Sequence, residues 1–245
     1  MFLYGKNSVL ERLKANPKSI KQVFLSDNFS SPVIEKIIAS QKILLKRVSQ
    51  NQLRKVKYAD SLGGIVAEVD KFQYAEIDDL IDQPKDKQLS LIFLDRVFDP
   101  QNLGAILRVA ACFGGFAVVI PKHKACQVTD TVLHVAQGAE NYIPVAMVPN
   151  ITNILLQAKK SGYWVVGAFS REEQDINNAT LPFPICCVFG SEASDIRYGI
   201  KKYIDFKIHI PMAGVPLSLN VSSACTVFCY EISRQKKTIS LENKQ

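Results

Sequence analysis

Three short clusters of polar side chains interrupt an otherwise apolar part of the sequence. They lie in DPQNLGAILR (99–108), in VFGSEASDIR (188–197) and in IPMAGVPLSLNVSSA (210–224). Their asparagine, serine, glutamate and arginine side chains offer hydrogen bonds, a carboxylate and a guanidinium. Each cluster follows an apolar, strand-like run, and open parallel sheets bind ligands beyond the carboxyl ends of their strands. The clusters therefore predict a ligand site built from three loops.

The first cluster opens a helix expected from about residue 103 to 113. Asn102 is placed to cap it. Gly104 and Arg108 lie four positions apart and share one face, where the glycine leaves a gap that a ligand could approach beneath the arginine. A glycine inside a helix costs about 1 kcal/mol relative to alanine, so something should compensate. The alternative is a surface arginine beside a packing glycine. The opposite, buried stripe is predicted to be Leu103, Ile106, Leu107 and Ala110.

The second cluster follows the strand ICCVFG. Gly190 ends this strand, Glu192 comes next but one, and Ser194 could cap the following helix. Glu192 is either a site carboxylate or a solvated loop acid.

The third cluster precedes a long final helix. Either Ser218 or Asn220 can cap that helix, but Ser218, Asn220 and Ser222 together offer three polar side chains where a cap uses one. Capping therefore explains only part of the cluster. The buried stripe of the helix is predicted to be Val221, Ala224 or Cys225, Phe228 and Ile232.

The elements that carry these clusters alternate between strand and helix from residue 89 onward. Near-continuous apolar strands separated by helices predict an α/β domain with a parallel sheet over residues 88–245, whose polar end, from 236 on, we expect to fray. The polar stretch 73–87 predicts a linker, with one short helix possible at 74–81.

Residues 1–72 predict a second, smaller α/β domain. Helix patterns at 6–15, 33–39 and 52–57 alternate with strand patterns at 20–25, 43–48 and 65–69. Many lysines and arginines lie within these elements. Arg54, Lys55 and Lys57 could grip RNA phosphates, or the domain could simply have a solvated basic surface.

Composition limits the possible functions. The 245 residues are 47% hydrophobic and 22% charged, and the net charge of +7 is compatible with nucleic-acid binding. No apolar run is long enough to span a membrane. The six cysteines form no C-x-x-C pair and lie mostly in apolar runs, which indicates reduced thiols and a cytoplasmic protein. The three histidines are not spaced with them as metal ligands, so no metal is expected.

Together the clusters resemble the three motifs of the SpoU (TrmH-like) family of SPOUT RNA ribose methyltransferases, in the right order and spacing. The resemblance extends to residues 1–70, which are similar to the family's substrate-binding domain. It implies a trefoil-knotted methyltransferase domain, a homodimer and S-adenosylmethionine as cofactor. The cofactor would lie against Ala168, Gly190, Ile210, Met212 and Leu219.

The resemblance also implies roles for the polar side chains. Arg108 corresponds to the family arginine often proposed as the base. Because a guanidinium hardly loses its proton, we expect Arg108 instead to hold the adjacent phosphate and favour the alkoxide. Asn102, Glu192, Ser218 and Asn220 would complete the catalytic site across a dimer interface.

The implied reaction is methylation of a ribose 2′-hydroxyl in RNA. The stretch VAQGAENYIPV (135–145) favours the family's 23S rRNA guanosine methyltransferases. A tRNA or resistance-type rRNA methyltransferase is the first alternative, and a non-catalytic RNA-binding or ribosome-assembly protein is the second. The chain differs from the family at Ala193 and Asp195, where glycines are usual.

Overall fold

The chain folds into two units in a computed structural model, which describes residues 1–57, 63–83, 88–171, 174–191, 195–214 and 217–242. The first unit consists of Met1–Gln73 and Val128–Tyr142, and the second of Tyr74–Gln127 and Ile143–Gln245. The structure thus differs from the predicted boundaries in assigning 128–142 to the first unit. The structure also assigns a helix of the expected linker to the second unit.

The first unit is a small α/β fold. In its described part the strands and helices are β1 (Phe2–Tyr4), α1 (Lys6–Ala15), β2 (Ile20–Ser26), α2 (Pro32–Ser40), β3 (Leu44–Val48), α3 (Gln50–Val56), β4 (Ile65–Val69) and α6 (Asp130–Ala136). The strand order is β1-β4-β2-β3, with β2 and β3 parallel and the other pairs antiparallel. Every predicted element of residues 1–70 is present. The sequence pattern missed β1, because three residues are too few to show an alternation.

A buried ion pair ties the two stretches of the first unit together. Arg12 of α1 donates from Nη2 to Oε1 of Glu140 at 3.2 Å, and their side chains are 10% and 0% exposed. Asn141 donates a second hydrogen bond to the same oxygen. Burial raises the pKa of Glu140, against the lowering effect of Arg12.

Further contacts join the same two stretches of the first unit. Asp130 accepts hydrogen bonds from the backbone N–H of Phe2 and from Nζ of Lys57, the latter at 2.6 Å. Tyr4 and His134 stack with ring centroids 4.1 Å apart. Gly138 has a φ of +94°, and a Cβ there would lie 2.3 Å from the Cβ of Glu11. Only glycine fits such a turn, so the stretch 128–142 is an integral part of the first unit.

The second unit contains a parallel sheet, as predicted. Its described elements are α4 (Ile77–Ile81), β5 (Ser90–Leu94), α5 (Pro100–Phe113), β6 (Phe116–Pro121), β7 (Val145–Val148), α7 (Ile151–Lys160), β8 (Trp164–Phe169), β9 (Gln174–Asp175), β10 (Ile185–Phe189), α8 (Tyr198–Lys201), β11 (Phe206–His209) and α9 (Val221–Glu242). The strand order is β7-β6-β5-β10-β8-β11-β9, and the neighbouring strands run parallel in every pair of this described sheet.

Apolar side chains fill the interior of the second unit. The central strands β5 and β10 are buried along their whole length, as expected of sequences that are apolar except for Ser90. The short helix α4, in the expected linker, buries Leu80 and Ile81 against the same core. No helix among the described residues is both long and apolar enough to cross a membrane.

The two long helices of this unit bury the predicted stripes. Leu103, Ile106, Leu107 and Ala110 of α5 are buried, as are Val221, Cys225, Phe228 and Ile232 of α9. Two helix expectations were wrong. Helix α5 begins at Pro100, so Asp99 rather than Asn102 is the cap, accepting a hydrogen bond from Gln101 N at 2.8 Å. Helix α9 continues to Glu242 instead of fraying at residue 236.

Candidate active site

Four neighbouring strands of the second unit end at one edge of the sheet. Strands β5, β10, β8 and β11 are parallel neighbours, so the loops that follow them meet there. All three polar clusters leave this edge, since 99–108 follows β5, 188–197 ends β10 and 210–224 follows β11. The prediction that the clusters share one edge is confirmed.

A cavity of about 330 Å³ lies at this edge. It is lined by the end of β8, the residues after β10, the stretch after β11 and the first turns of α9. The lining includes Ser218 and all five residues expected at the cofactor, namely Ala168, Gly190, Ile210, Met212 and Leu219. Its volume falls within the range of pockets that hold small molecules, about 300–1,000 Å³.

Gly190 is required by the close approach of two backbone segments. A Cβ at this position would lie 2.5 Å from the backbone N of Ile196 and 2.7 Å from the carbonyl carbon of Asp195. Contacts of that length do not occur, so any side chain here would push the segment 195–196 away. The glycine therefore shapes one wall of the cavity, which Asp195 also lines.

The first and third clusters are joined by a hydrogen bond between two amides. Asn220 donates from Nδ2 to Oδ1 of Asn102 at 2.9 Å, and Asn102 is only 6% exposed. Oδ1 of Asn220 accepts from the N–H and the Oγ of Ser222, at 2.8 and 2.6 Å. Asn220 is thus the residue that caps α9, while its other amide atom fixes the orientation of Asn102.

A smaller cavity, of about 190 Å³, adjoins the first. Ser191 and Val221 line both cavities, and Asn102 lines the smaller one. The rest of its lining comes from the turn between β5 and α5, namely Arg96, Val97, Phe98 and Asp99. Two ligands in the adjacent cavities would therefore meet near the linked amides.

The sequence patterns did not reveal a buried carboxylate at the same edge. Asp95, which is 0% exposed, accepts from Nε of Arg197 at 2.7 Å and from the backbone N–H of Arg197 at 3.1 Å. It thereby holds the loop after β10 to the end of β5. The sequence feature that could have revealed this carboxylate is an acidic residue directly after the apolar strand LSLIFL.

One expected site residue does not line either cavity, and another lies outside the described residues. Arg108 is exposed on α5 and is not among the residues lining either cavity. Glu192 lies outside the described residues, as do Ala193 and Ser194. Helix α8 begins only at Tyr198, so the expectation that Ser194 caps it was wrong.

The three cations expected to contact RNA differ in their surroundings. Arg54 and Lys55 are exposed on α3, which begins with a capping box between Ser49 and Gln52. Lys57 is half-buried, paired with Asp130, and lies 5.8 Å from the ring centroid of Tyr4. Its ammonium is engaged within the fold, whereas the side chains of the other two face solvent.

The buried thiols are structural. Burial raises the pKa of Cys186 and of Cys187 well above the ordinary range, so both stay protonated and pack as small apolar groups. All six cysteines are free. Among the described residues, no group of three or more histidine, cysteine or acidic side chains could hold a metal ion.

The sequence matches two protein families over adjoining stretches. Residues 89–230 match the SpoU rRNA Methylase family. Residues 2–75 match the family described as RNA 2′-O ribose methyltransferase substrate binding.

Curated relatives match the chain along nearly its whole length. The Putative TrmH family tRNA/rRNA methyltransferase YacO of Bacillus subtilis is 35% identical over 243 residues, covering 97% of each chain. The 23S rRNA (guanosine-2′-O-)-methyltransferase RlmB of Pseudomonas putida is 35% identical over 240 residues, covering 96% of each.

Solved structures share the fold at lower sequence identity. The SpoU methyltransferase AviRb from Streptomyces viridochromogenes, in complex with AdoMet, superposes with a TM-score of 0.81 at 20% identity, covering 97% of this chain and 91% of that one. An AdoMet-bound rRNA methyltransferase from Sinorhizobium meliloti has a TM-score of 0.79 at 21% identity, covering 95% and 86%.

Proposed function

Since this chain belongs to the SpoU rRNA methylase family and is therefore an RNA methyltransferase, we propose that it transfers a methyl group from S-adenosylmethionine to a ribose 2′-hydroxyl, and that the acceptor is a guanosine of 23S rRNA. One observation carries the proposal. The five residues expected at the cofactor line the larger cavity, and the hydrogen-bonded amides of Asn102 and Asn220 lie at the adjoining smaller cavity.

The larger cavity fits S-adenosylmethionine in size and in chemistry. It combines apolar side chains, such as Met212 and Leu219, with the hydroxyl of Ser218 and the backbone around Gly190. Apolar walls with a few fixed polar groups are what a nucleoside cofactor requires. The absence of a side chain at Gly190 keeps the wall formed by 195–196 in place. We further propose that the second unit contains the trefoil knot that the family resemblance implies.

When bound, S-adenosylmethionine supplies an electrophilic methyl group, and the chain must orient the acceptor hydroxyl towards it. A neutral alcohol is a poor nucleophile, so correct placement and loss of its proton limit the rate. The hydrogen bond between Asn220 and Asn102 holds both amides fixed before substrate arrives. Asn102 lines the smaller cavity, where its amide can position the ribose.

Arg108 acts on the RNA rather than on the cofactor in this proposal. Its exposed guanidinium is away from both cavities of its own chain, which is consistent with a role in the site of a second copy. A guanidinium keeps its proton, so its contribution is to hold the phosphate next to the acceptor ribose and to favour the developing alkoxide. We propose a homodimer for this reason. Glu192 and Ser218 complete the proposed catalytic set.

The proposed acceptor rests on the relatives and on the first unit. The curated relative from Pseudomonas putida carries a 23S rRNA guanosine name, and residues 2–75 match a substrate-binding family. The exposed Arg54 and Lys55 of the first unit are available for phosphate contacts. Free thiols and an RNA substrate are consistent with a cytoplasmic protein.

Two measurements test the proposed function. Calorimetry on the full chain should show S-adenosylmethionine binding, and Gly190→Val should abolish it by displacing 195–196. Mapping of ribose methylation in rRNA and tRNA from a strain lacking the gene should show one missing 23S guanosine methyl group. A missing tRNA methyl group would instead establish the alternative substrate. An unchanged methylation map together with no cofactor binding would refute the proposal.

Arg108→Ala tests the division of roles. Turnover should fall by about 10²–10³-fold, the usual cost of losing one group that stabilises a transition state, while cofactor affinity stays unchanged. Lys160→Ala, another exposed cation of the second unit, is the control and should leave both unchanged. Equal losses of turnover and of cofactor affinity would mean that Arg108 is structural.

A further inference from the structure

We infer that the smaller cavity receives the acceptor nucleoside and that Phe98 is the surface on which an unstacked RNA base rests. This inference depends on the proposed function, because it assigns a residue to the RNA side of that reaction. Ser191 and Val221 line both cavities, so a nucleoside in the smaller one would lie directly beside a cofactor in the larger one.

The turn before α5 presents Phe98 outward. Arg96 has a φ of +62°, in the left-handed region that residues other than glycine rarely adopt. This turn buries Val97, whose carbonyl accepts a hydrogen bond from the backbone N–H of Cys126 at 2.8 Å. On the other side Asp99 caps α5. Phe98, between these two anchored residues, is 59% exposed.

Such an exposed aromatic ring on an anchored turn suits base stacking. Proteins that recognise unpaired nucleotides commonly stack the base on an aromatic side chain, and every base offers a flat face for this contact. Backbone strain next to a cavity is also typical of functional sites, because it persists only where the surrounding structure enforces it. Phe98 offers such a ring two residues after the strained Arg96, and Asn102 lines the same cavity.

The polar lining favours a nucleoside over a phosphate as the occupant. Asp99 lines the smaller cavity, and one of its carboxylate oxygens is occupied by the cap of α5. Arg96 also lines the cavity and pairs with the buried Asp95 at 3.8 Å, so the lining offers an anion no surplus of positive charge. Neutral base and ribose groups, by contrast, can hydrogen-bond to Asp99 and Asn102 while the base contacts Phe98.

Phe98→Leu tests the inference, since leucine keeps an apolar side chain but removes the aromatic face. We expect the KM for the RNA that the wild type methylates, and the Kd for a 23S rRNA transcript in filter binding, to rise about tenfold, within the range typical for removal of one base stack. The S-adenosylmethionine Kd from calorimetry should not change. Phe98→Trp should restore most of the RNA affinity.

Tyr198→Leu is the matched control, because Tyr198 is an exposed aromatic residue of the same unit that is not among the residues lining either cavity. Its RNA affinity should equal that of the wild type. Equal RNA affinity of Phe98→Leu and the wild type would overturn the inference. A shift of Phe98→Leu to a smaller species in light scattering would also overturn it, since the ring would then cover a second copy. Failure of the wild type itself to bind cofactor would refute the proposed function, and filter binding would still decide the role of Phe98.

Discussion

The first unit and the sheet edge of the second unit use polar side chains in opposite ways. In the first unit, Arg12 pairs with Glu140 and Lys57 with Asp130, and all four are largely withdrawn from solvent. At the sheet edge, the amides of Asn102 and Asn220 fix each other beside two cavities. The difference teaches that these two charge pairs join segments far apart in sequence, whereas the linked amides border space that a ligand could occupy.

The largest effect should come from leaving one buried charge of the first unit without its partner. Arg12→Met strands the carboxylate of Glu140 in the interior, which should lower the free energy of unfolding by about 3–5 kcal/mol. The double variant Arg12→Met, Glu140→Met should recover most of the loss, since apolar side chains can replace a buried pair. Urea unfolding measures the loss, and hydrogen exchange over 128–142 should locate it.

Lys14→Met is the control for this experiment. Lys14 lies on the same helix and pairs with Glu11 at the surface, so its removal should cost less than about 0.5 kcal/mol. A loss of similar size for both variants would contradict the view that the Arg12 pair joins the two segments.

The next largest effect concerns Asp95, which lies at the sheet edge but is buried and paired. Asp95→Asn keeps the size but loses the charge that faces Arg197, and should cost about 1.5–3 kcal/mol of stability. Because the loop that it holds includes Asp195 of the larger cavity, S-adenosylmethionine affinity should also fall, by about tenfold. Calorimetry and thermal unfolding measure the two losses. Asp79→Asn, at an exposed acid of α4, should change neither.

A smaller effect should appear as a pH dependence of the first unit. Burial raises the pKa of Glu140 above its ordinary 4.5, so the folded state binds this proton more tightly than the unfolded chain does. The contribution of Glu140 to the free energy of unfolding should therefore fall as the pH rises from 4.5 through the raised pKa, and level off above it. Glu140→Gln should remove this fall in urea titrations at a series of pH values. A contribution that increases over the same window would mean that Arg12 outweighs burial.

The smallest effect separates paired from solvent-facing cations within the first unit. Replacing Arg54 and Lys55 by Gln should make the salt dependence of RNA binding shallower, by ~0.7–0.9 in log–log slope for each phosphate that the protein no longer neutralises. Lys57→Gln should leave that slope unchanged and instead lower stability by up to about 1 kcal/mol, because Lys57 pairs with Asp130. Filter binding across a salt series decides. A shallower slope for Lys57→Gln would show that its ammonium reaches RNA.

Sequence reasoning succeeded where the information was local. The shared sheet edge could be predicted because each polar cluster directly follows an apolar strand, and parallel strands bring such loops to one edge. The stripes of α5 and α9 followed from helical periodicity alone. Asn102 was misjudged as a cap because Asp99 and Pro100, three and two residues earlier, form a better helix start.

Long-range pairing could not be read from the sequence. The bond between Arg12 and Glu140 joins residues 128 positions apart, and neither position carries a local signal of its partner. Asp95 and Arg197 are separated by 102 positions in the same way. Only the tertiary fold decides which of the many charged residues meet, so the domain boundaries were predicted as if each unit were continuous.

The divided first unit also constrains the order of events during protein synthesis. When Gln73 has just been added to the growing chain, Glu140, the partner of Arg12, has not yet been synthesised. At roughly 5–20 residues per second, on the order of ten seconds pass before Tyr142 emerges. Throughout that interval the nascent first unit lacks three contacts, because the partners of Arg12, Lys57 and the Tyr4 ring have not yet been synthesised. Completion of the first unit is therefore delayed until much of the second unit's sheet, including β5 and β6, has already been translated.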